Sequence, residues 1–214
     1  MIQLEHIETY GWETAIRGMR NPMNSWNRSD SEITPRLGVV NLGKNDYELM
    51  TRLANAGPVH GKFLRMITVT MDITAPLYWW KEFDTYKVGT VANSCSTMHK
   101  LHEKHLNLQD FSTDHLGHGS MSLLSQTIAK INKLRDKYIK SHDKDTWYEM
   151  IQLLPTSYNQ RRTVQLNYEV LRGIYRYRKD HKLDEWRLFC AKCAAILPYP
   201  ELFKGDCGEV VLEE

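Results

Sequence analysis

The chain has 214 residues, a length that predicts one domain with its own hydrophobic core. Hydrophobic residues make up 42% and charged residues 25%, which excludes collagen-like and disordered chains. The 28 Lys and Arg residues against 26 Asp and Glu give a net charge of +2. A net charge this small argues against binding of nucleic acid through bulk positive charge. Local charged patches are still compatible with such a balance.

Nothing in the sequence suggests a membrane protein. No apolar run approaches the roughly 20 residues that a spanning helix needs, and the N-terminal stretch MIQLEHIETYGWE is too acidic for a signal peptide. The cysteines do not form the pattern of a disulfide framework. We therefore expect a reduced, cytoplasmic protein, with cysteines at four scattered positions (Cys95, Cys190, Cys193 and Cys207).

The predicted elements, in chain order, give an α+β protein with more helix than strand, as a single domain over 1–214. Alternation of apolar with other residues, rich in β-branched types in the second case, predicts strands at 2–7 and 62–73. Clusters of Asn, Ser, Asp, Pro and Gly predict loops at 21–35 and 84–96. A helix capped by Asn45 or Asp46 is expected to end before Gly57. The remaining predicted helices lie at 12–20, 75–83, 120–139, 147–154, 159–178 and 184–197.

The most unusual stretch is the arginine-rich helix predicted over 159–178. Asn167 and Arg178 are eleven residues apart, close to three helical turns, so they would project from one face roughly 16 Å apart. Leu171 and Ile174 lie between them, which predicts a partly buried face where an arginine needs an anion or a polarised carbonyl. The alternative is that these arginines lie on a solvated or ion-paired helix face. For an arbitrary arginine-rich helix this alternative is the favoured interpretation. The arginines are Arg161, Arg162, Arg172, Arg176 and Arg178.

Two other clusters invite a metal or redox interpretation. His99, His102 and His105 follow three-residue steps, which would place the first and third about 120° apart on a helix, whereas zinc proteases need a four-residue step. We expect no metal site, with a metal-dependent hydrolase as the weaker alternative. Cys190 and Cys193 fall inside an apolar helix, where core packing is favoured over redox chemistry.

Residues 153–178, LLPTSYNQRRTVQLNYEVLRGIYRYR, resemble the C-terminal half of flavin-dependent thymidylate synthases. That family has a Leu-Pro, then an Asn-x-Arg-x-Leu helix that ends in a functional Arg eleven residues after the Asn. Residues 57–73 are similar to the family's His-containing turn into a central strand, with His60 and Phe63 at the matching places. The resemblance extends from about residue 40 to 204, and its C-terminal part depends on Leu154-Pro155, Arg161, Asn167, Leu171 and Arg178.

The resemblance implies a small central sheet with several long helices, and a homotetramer that holds FAD between subunits. It implies conversion of dUMP to dTMP with reduced FAD and methylenetetrahydrofolate. The position of Arg178 would bind the pyrimidine and stabilise negative charge on the ring, and those of Asn167 and His60 would lie near the flavin.

The sequence departs from the family's Arg-His-Arg hallmark, where Lys81-Glu82-Phe83 stands here. After a short insertion, Ser94 and Ser96 can stand for the family's serines. Other anion-binding positions are lost, because Glu169 and Ile151 replace arginines.

The motifs that are kept and those that are lost favour two possible functions. In the first, the chain is a divergent enzyme that methylates, or otherwise modifies at C5, a deoxyuridine nucleotide. Arg178 then polarises the base, Lys81, Ser94 and Ser96 hold the nucleotide, and aromatic walls come from Trp79, Trp80 and Tyr86, unless these simply pack in the core. The cofactor would be seated by His60, Lys81, Arg161 and Asn167. In the second, the chain is a non-catalytic homologue that binds a nucleotide or a macromolecule.

Overall fold

The computed structural model describes residues 2–34 and 39–205, so Cys207 lies outside the described residues. It is a mixed helical and sheet structure, which confirms the α+β class. A four-stranded sheet has the order β1-β4-β6-β5, and a separate antiparallel hairpin pairs β2 with β3, with Ile33 opposite Val40. The strands are β1 (Gln3–Tyr10), β2 (Glu32–Thr34), β3 (Val39–Asn41), β4 (Thr68–Pro76), β5 (Val91–Ser94) and β6 (Asn159–Asn167).

Helices make up most of the remaining structure. Most of the helices that the apolar periodicity predicted are present, with ends within about four residues of those expected. No described helix combines the length and the apolar character that crossing a bilayer requires. The α-helices are α1 (Trp12–Arg20), α2 (Lys44–Asn55), α3 (Leu77–Phe83), α4 (Thr97–Lys100), α5 (His118–Ser141), α6 (Lys144–Leu153), α7 (Tyr168–Arg178), α8 (Asp184–Ile196) and α9 (Glu201–Lys204).

The prediction of one helix over 159–178 is wrong, because its first half is strand β6 and only the second half is helix α7. Every second residue from Val164 to Tyr168 is buried, namely Val164, Leu166 and Tyr168. This spacing of two residues is that of a strand and not of a helix. A single sequence also does not reveal hydrogen bonds to distant segments, such as that from Cys95 N, just after residue 94, to Arg161 O at 2.9 Å. Arg161 therefore does not lie on the helix of Asn167 and Arg178.

The strand predicted over 62–73 begins later than expected. Residues Gly61–Met66 form a 3₁₀ helix, and β4 starts at Thr68. Phe63 and Leu64 are both buried and the next two residues, Arg65 and Met66, are both exposed, so burial over 61–66 does not alternate with the period of a strand. Alternating burial is observed only from Ile67 onward.

Two smaller predictions also need correction. The loop predicted over 84–96 contains β5, whose pairing partner lies far away in the sequence. Helix α2 is preceded by Gly43, and Asp46 lies fully buried in its first turn instead of capping it. The carboxylate of Asp46 binds Arg20 and the segment 29–31, as described in the Discussion.

The chain divides into two compact units. The first comprises residues 73–85 and 93–163, together with Ile2 and Gln3 near the N-terminus. Its core lies between α5 and α6 and contains Leu124, Ile128, Ile131, Leu134 and Met150.

The second unit comprises residues 4–72, 86–92 and the chain from Val164 onward. Its core includes Tyr168, which lies edge-on to Trp12 and Phe203 with ring centroids 5.3 Å away in each case. The Tyr168 hydroxyl donates to the carbonyl of Pro198 at 2.6 Å, so burying this ring leaves no orphaned polar atom. Helix α7, which carries Arg178, is thereby anchored at its first residue.

Candidate functional site

Arg178 is held in a fixed, partly aromatic setting at the end of α7. Its Nε donates to the Tyr86 hydroxyl at 3.0 Å, and its Nη1 lies 2.8 Å from His181 Nε2. The guanidinium also lies over the Trp186 ring, 4.8 Å from the centroid. Because an arginine only donates, this contact is a hydrogen bond in the tautomer in which His181 Nε2 accepts, and the Leu183 N–H, 3.2 Å from Nδ1, favours the other tautomer. These contacts hold a half-buried positive charge in one orientation.

Asn167 lies at the opposite end of the same helix. Its side-chain Oδ1 accepts a hydrogen bond from Val170 N at 3.0 Å, so it is the N-cap of α7. Since α7 has eleven residues, Asn167 and Arg178 lie at its two ends, roughly 16 Å apart along the axis. The separation predicted from the sequence therefore survives, although the longer helix predicted around it does not.

The segment 86–90 passes close to both ends of α7. Tyr86 contacts Arg178, and Gly89 approaches the amide of Asn167 so closely that an added Cβ would lie 3.0 Å from Nδ2. Gly89 has a φ of +74°, a conformation that favours glycine. This segment therefore contacts Arg178 and lies beside the amide of Asn167, where glycine leaves room that a Cβ would fill.

His60 lies at the start of the 3₁₀ helix Gly61–Met66, in the same compact unit as Asn167 and Arg178. Its side chain is exposed and lines a cavity of about 980 Å³ together with Lys62 and Phe63. Neither Asn167 nor Arg178 is among the residues that line this cavity.

Lys81 projects from α3 and is exposed, whereas the aromatic side chains on the same helix are core residues. Trp79, Trp80 and Phe83 are at most 1% exposed and pack against one another with ring centroids 4.9–5.3 Å apart. Trp80 also donates its indole N–H to the carbonyl of Gln160 at 2.9 Å. The two tryptophans are therefore part of the core and do not form an exposed stacking wall.

Ser96 and Arg161 line one cavity of about 450 Å³ in the first unit, together with Cys95, Lys100 and Lys104. Ser96 Oγ accepts from His99 N at 3.0 Å. Both lysines have acidic partners, since Lys100 pairs with Glu103 and Lys104 with Asp110. Ser94 is exposed in β5 and is not among the lining residues. The structure thus brings together Ser96 and Arg161 from the predicted set.

The three clustered histidines do not converge. The Nε2 of His105 lies 3.3 Å from Asp136, and His102 packs edge-on to Tyr138 at 5.1 Å, while His99 is exposed on α4. In the part of the chain that the structure describes, no three His, Cys, Asp or Glu side chains form a group that could hold a metal ion.

Cys190 and Cys193 pack in the core of the second unit, which confirms the expectation from their apolar helix. They are 3% and 2% exposed. Burial raises the pKa of Cys190 to about 12 and also raises the pKa of Cys193, so both thiols stay protonated at neutral pH. Such thiols are poor nucleophiles.

Sequence reasoning missed the partners that fix Arg178. The sequence predicts Tyr86 only as an aromatic wall and predicts no role for His181. His181 follows Arg178 by three residues, a spacing that would have suggested a contact near the helix end. The contact with Tyr86 comes from a segment 92 residues away and leaves no local sequence pattern.

The chain matches no protein-family model, and no curated protein matches it in sequence. Its fold, however, is similar to that of solved structures of thymidylate synthase X (ThyX) from Helicobacter pylori. One, crystallised with FAD and dUMP, aligns with a TM-score of 0.70 and 16% identity, covering 96% of this chain and 98% of that one. Another, also complexed with FAD and dUMP, gives a TM-score of 0.68 at 16% identity, with 96% and 97% covered. The chain thus has the fold of flavin-dependent thymidylate synthase over almost its whole length.

Proposed function

We propose that this protein is a divergent flavin-dependent thymidylate synthase-like enzyme acting on a deoxyuridine nucleotide. Its reaction would be the reductive methylation of dUMP to dTMP, or a related modification at C5, with reduced FAD and methylenetetrahydrofolate. The observation that carries the proposal is the match in fold along nearly the whole chain to proteins crystallised with FAD and dUMP.

The setting of Arg178 supports a role in binding the pyrimidine. Attack at the uracil ring places negative charge on its oxygens, and a positioned guanidinium would stabilise that charge. A half-buried cation acts more strongly than one in water, because the local dielectric is lower. Tyr86 and His181 fix the guanidinium in advance, so little reorganisation is needed when the base binds.

The residues near Asn167 fit a flavin in their chemistry. Because Oδ1 caps α7, the amide nitrogen remains the group that can donate to a ring carbonyl, and the absence of a Cβ at Gly89 keeps space beside it. When bound, the reduced flavin would supply the reducing equivalent for the transferred carbon. We assign Asn167, His60, Arg161 and Lys81 to holding this cofactor.

We assign the remaining nucleotide contacts to Lys81, Ser94 and Ser96, whose ammonium and hydroxyl groups suit a phosphate and a sugar. The proposal includes a homotetramer that holds FAD between its subunits. The resemblance of the sequence to flavin-dependent thymidylate synthases implies this assembly.

The direct test is the visible spectrum of the purified protein after incubation with FAD and desalting. A retained flavin spectrum that changes when dUMP is added is the expected result. Arg178→Ala should abolish the dUMP-induced change without altering the oligomer, whereas Arg176→Ala, an exposed arginine on the same helix, should leave it intact. Unchanged dUMP affinity in Arg178→Ala would refute the assignment of the pyrimidine site.

One observation favours a second candidate, a non-catalytic homologue that binds a nucleotide or a macromolecule. Of Lys81, Glu82 and Phe83, which replace the family's Arg-His-Arg, Phe83 is 1% exposed and belongs to the core. A protein that takes up no FAD, yet binds dUMP through Arg178, would support this candidate over the enzyme.

A further inference from the structure

A smaller cavity lies beside α1 in the second compact unit. It has a volume of about 400 Å³, and none of the side chains proposed to hold the nucleotide or the cofactor lines it. Helix α1 contributes part of the lining, and the segment from the 3₁₀ turn Trp26–Arg28 to strand β2 contributes the rest. The cavity is therefore distinct from the candidate site around Arg178.

Two side chains of the lining carry opposite charges that the described chain leaves unpaired. Glu13 and Arg17 are both exposed and lie four residues apart on α1, so their Cβ atoms are about 5–6 Å apart. Over residues 2–34 and 39–205, neither forms an ion pair with the other or with a further side chain. Ion pairs on an exposed helix face are weak in any case, so a ligand that offers both charges displaces little.

The other polar groups of the lining are already satisfied. Arg20 is paired with Asp46, and the hydroxyls of Ser29 and Ser31 donate to the same carboxylate at 2.8 and 2.7 Å. Because Asp46 balances the charge of Arg20, one carboxylate and one guanidinium remain to meet a ligand. Such a pair gives little net attraction for a polyanion such as a nucleotide, whereas a zwitterion matches both charges.

The rest of the lining is apolar and held in place. Ile16 is buried, Ile33 is half-buried, and Trp26 is 51% exposed. The indole N–H of Trp26 donates to Asn21 Oδ1 at 2.8 Å, which satisfies this group and leaves the ring for apolar contact. The guanidinium of Arg20 donates to two backbone carbonyls at this turn, 3.2 and 3.1 Å away. An apolar lining with a few charged groups is typical of sites for small organic ligands, and the volume lies in the range for such sites.

We propose that this cavity binds a free α-amino acid with an aromatic side chain. The carboxylate of the ligand pairs with Arg17, its ammonium group pairs with Glu13, and its ring packs against Trp26. An α-amino acid carries both charges on one carbon, so with a hydrogen bond of about 2.8 Å at each end it spans two side chains that are one helical turn apart. Aromatic rings favour contact with an indole beyond the burial of apolar area, which selects an aromatic side chain. The inference does not rest on the proposed function, because no residue assigned to dUMP or FAD takes part in it.

The test is titration of the full chain with L-phenylalanine at neutral pH, followed by saturation-transfer NMR, which detects binding in the millimolar range. Two further probes each lack one charge: 3-phenylpropanoate has no ammonium group, and 2-phenylethylamine has no carboxylate. We expect L-phenylalanine to bind, and each one-charge probe to bind about threefold to tenfold more weakly, because it loses one charge-assisted contact at a partly solvated site.

Two variants test the charges separately. Glu13→Gln should weaken the binding of L-phenylalanine about threefold to tenfold and remove its advantage over 3-phenylpropanoate. Arg17→Gln should weaken binding by a similar factor and remove the advantage over 2-phenylethylamine. Both positions are exposed, so thermal unfolding of the variants should match that of the native chain.

Glu32→Gln and Arg176→Gln are the matched controls, because both residues are exposed, belong to the same unit and lie outside the lining of the cavity. The inference is overturned if L-phenylalanine does not bind, or if either one-charge probe binds within twofold of it. It is also overturned if Glu13→Gln or Arg17→Gln keeps its affinity within twofold, or if a control variant weakens binding equally. Neither FAD nor dUMP is a probe in this titration, so failure of the proposed function would leave its outcome unchanged.

Discussion

Replacing Asp46 with alanine should destabilise the second compact unit strongly, because it leaves a buried arginine without its counter-charge. Arg20 and Asp46 are 3% and 0% exposed, and Arg20 Nε donates to Asp46 Oδ1 at 2.7 Å. Breaking a buried ion pair on one side costs about 3–5 kcal/mol. That is a large share of the roughly 5–15 kcal/mol that stabilises a typical protein.

The hydrogen bonds of the second carboxylate oxygen agree with this magnitude. Asp46 Oδ2 accepts from the hydroxyls of Ser29 and Ser31 and from the backbone N–H groups of Asp30 and Ser31, at 2.7–3.1 Å. At a net value of about 1 kcal/mol each, losing these bonds costs a similar amount. The same variant should loosen Arg28, whose carbonyl accepts from Arg20 Nη2 at 3.1 Å.

Urea unfolding followed by tryptophan fluorescence measures the loss, and thermal unfolding should show a midpoint lower by about 6–20 °C. Lys44→Ala is the control, because Lys44 is 84% exposed and its nearest carboxylate, on Glu48, is 3.9 Å away. The double variant Arg20→Met, Asp46→Leu should recover part of the stability, since it removes both charges. A loss below about 1 kcal/mol in Asp46→Ala would refute the reasoning.

The same carboxylate makes stability depend on acid. Burial alone would raise the pKa of Asp46, but hydrogen bonds from Ser31, Ser29 and Arg20 lower it below its ordinary value. A carboxyl whose pKa is lower in the folded state stabilises the protein above its unfolded-state pKa, near 4, and loses this effect as the pH falls through the folded value. The gap in stability between the native chain and Asp46→Ala should therefore narrow below about pH 4.

Two further predictions concern the neighbourhood of α7 and the thiols. Gly89→Ala should lower stability by about 1 kcal/mol and weaken FAD uptake, because it strains a φ of +74° and puts a Cβ 3.0 Å from Asn167 Nδ2; equal FAD affinity in the variant would contradict this. Iodoacetamide at pH 8 should label exposed Cys95 in the folded protein well before the buried Cys190 and Cys193, as peptide mass spectrometry would show. Equal labelling of the three would contradict the raised pKa values of the buried pair.

The part of the candidate site that lies along one helix was predictable. Asn167 and Arg178 are eleven residues apart, and since helix α7 joins them, their separation follows from helical geometry. Arg161 does not lie on the predicted helix, because residues 159–167 form strand β6 and α7 begins only at Tyr168. The resemblance carried by residues 153–178 predicts the fold correctly, although the first part of the predicted helix in that segment is strand β6.

The sequence by itself determined the elements that depend on local periodicity. Helices α1, α5 and α8 and the later part of β4 lie close to where their apolar spacing predicts, because contacts within an element repeat every few residues. Tertiary structure alone decided that 91–94 and 159–167 are strands, since a strand needs hydrogen bonds from a partner distant in the chain. It also brought Arg28, Arg52 and Lys62 to one cavity, because packing of α2 and two 3₁₀ segments, not sequence proximity, sets which charges meet.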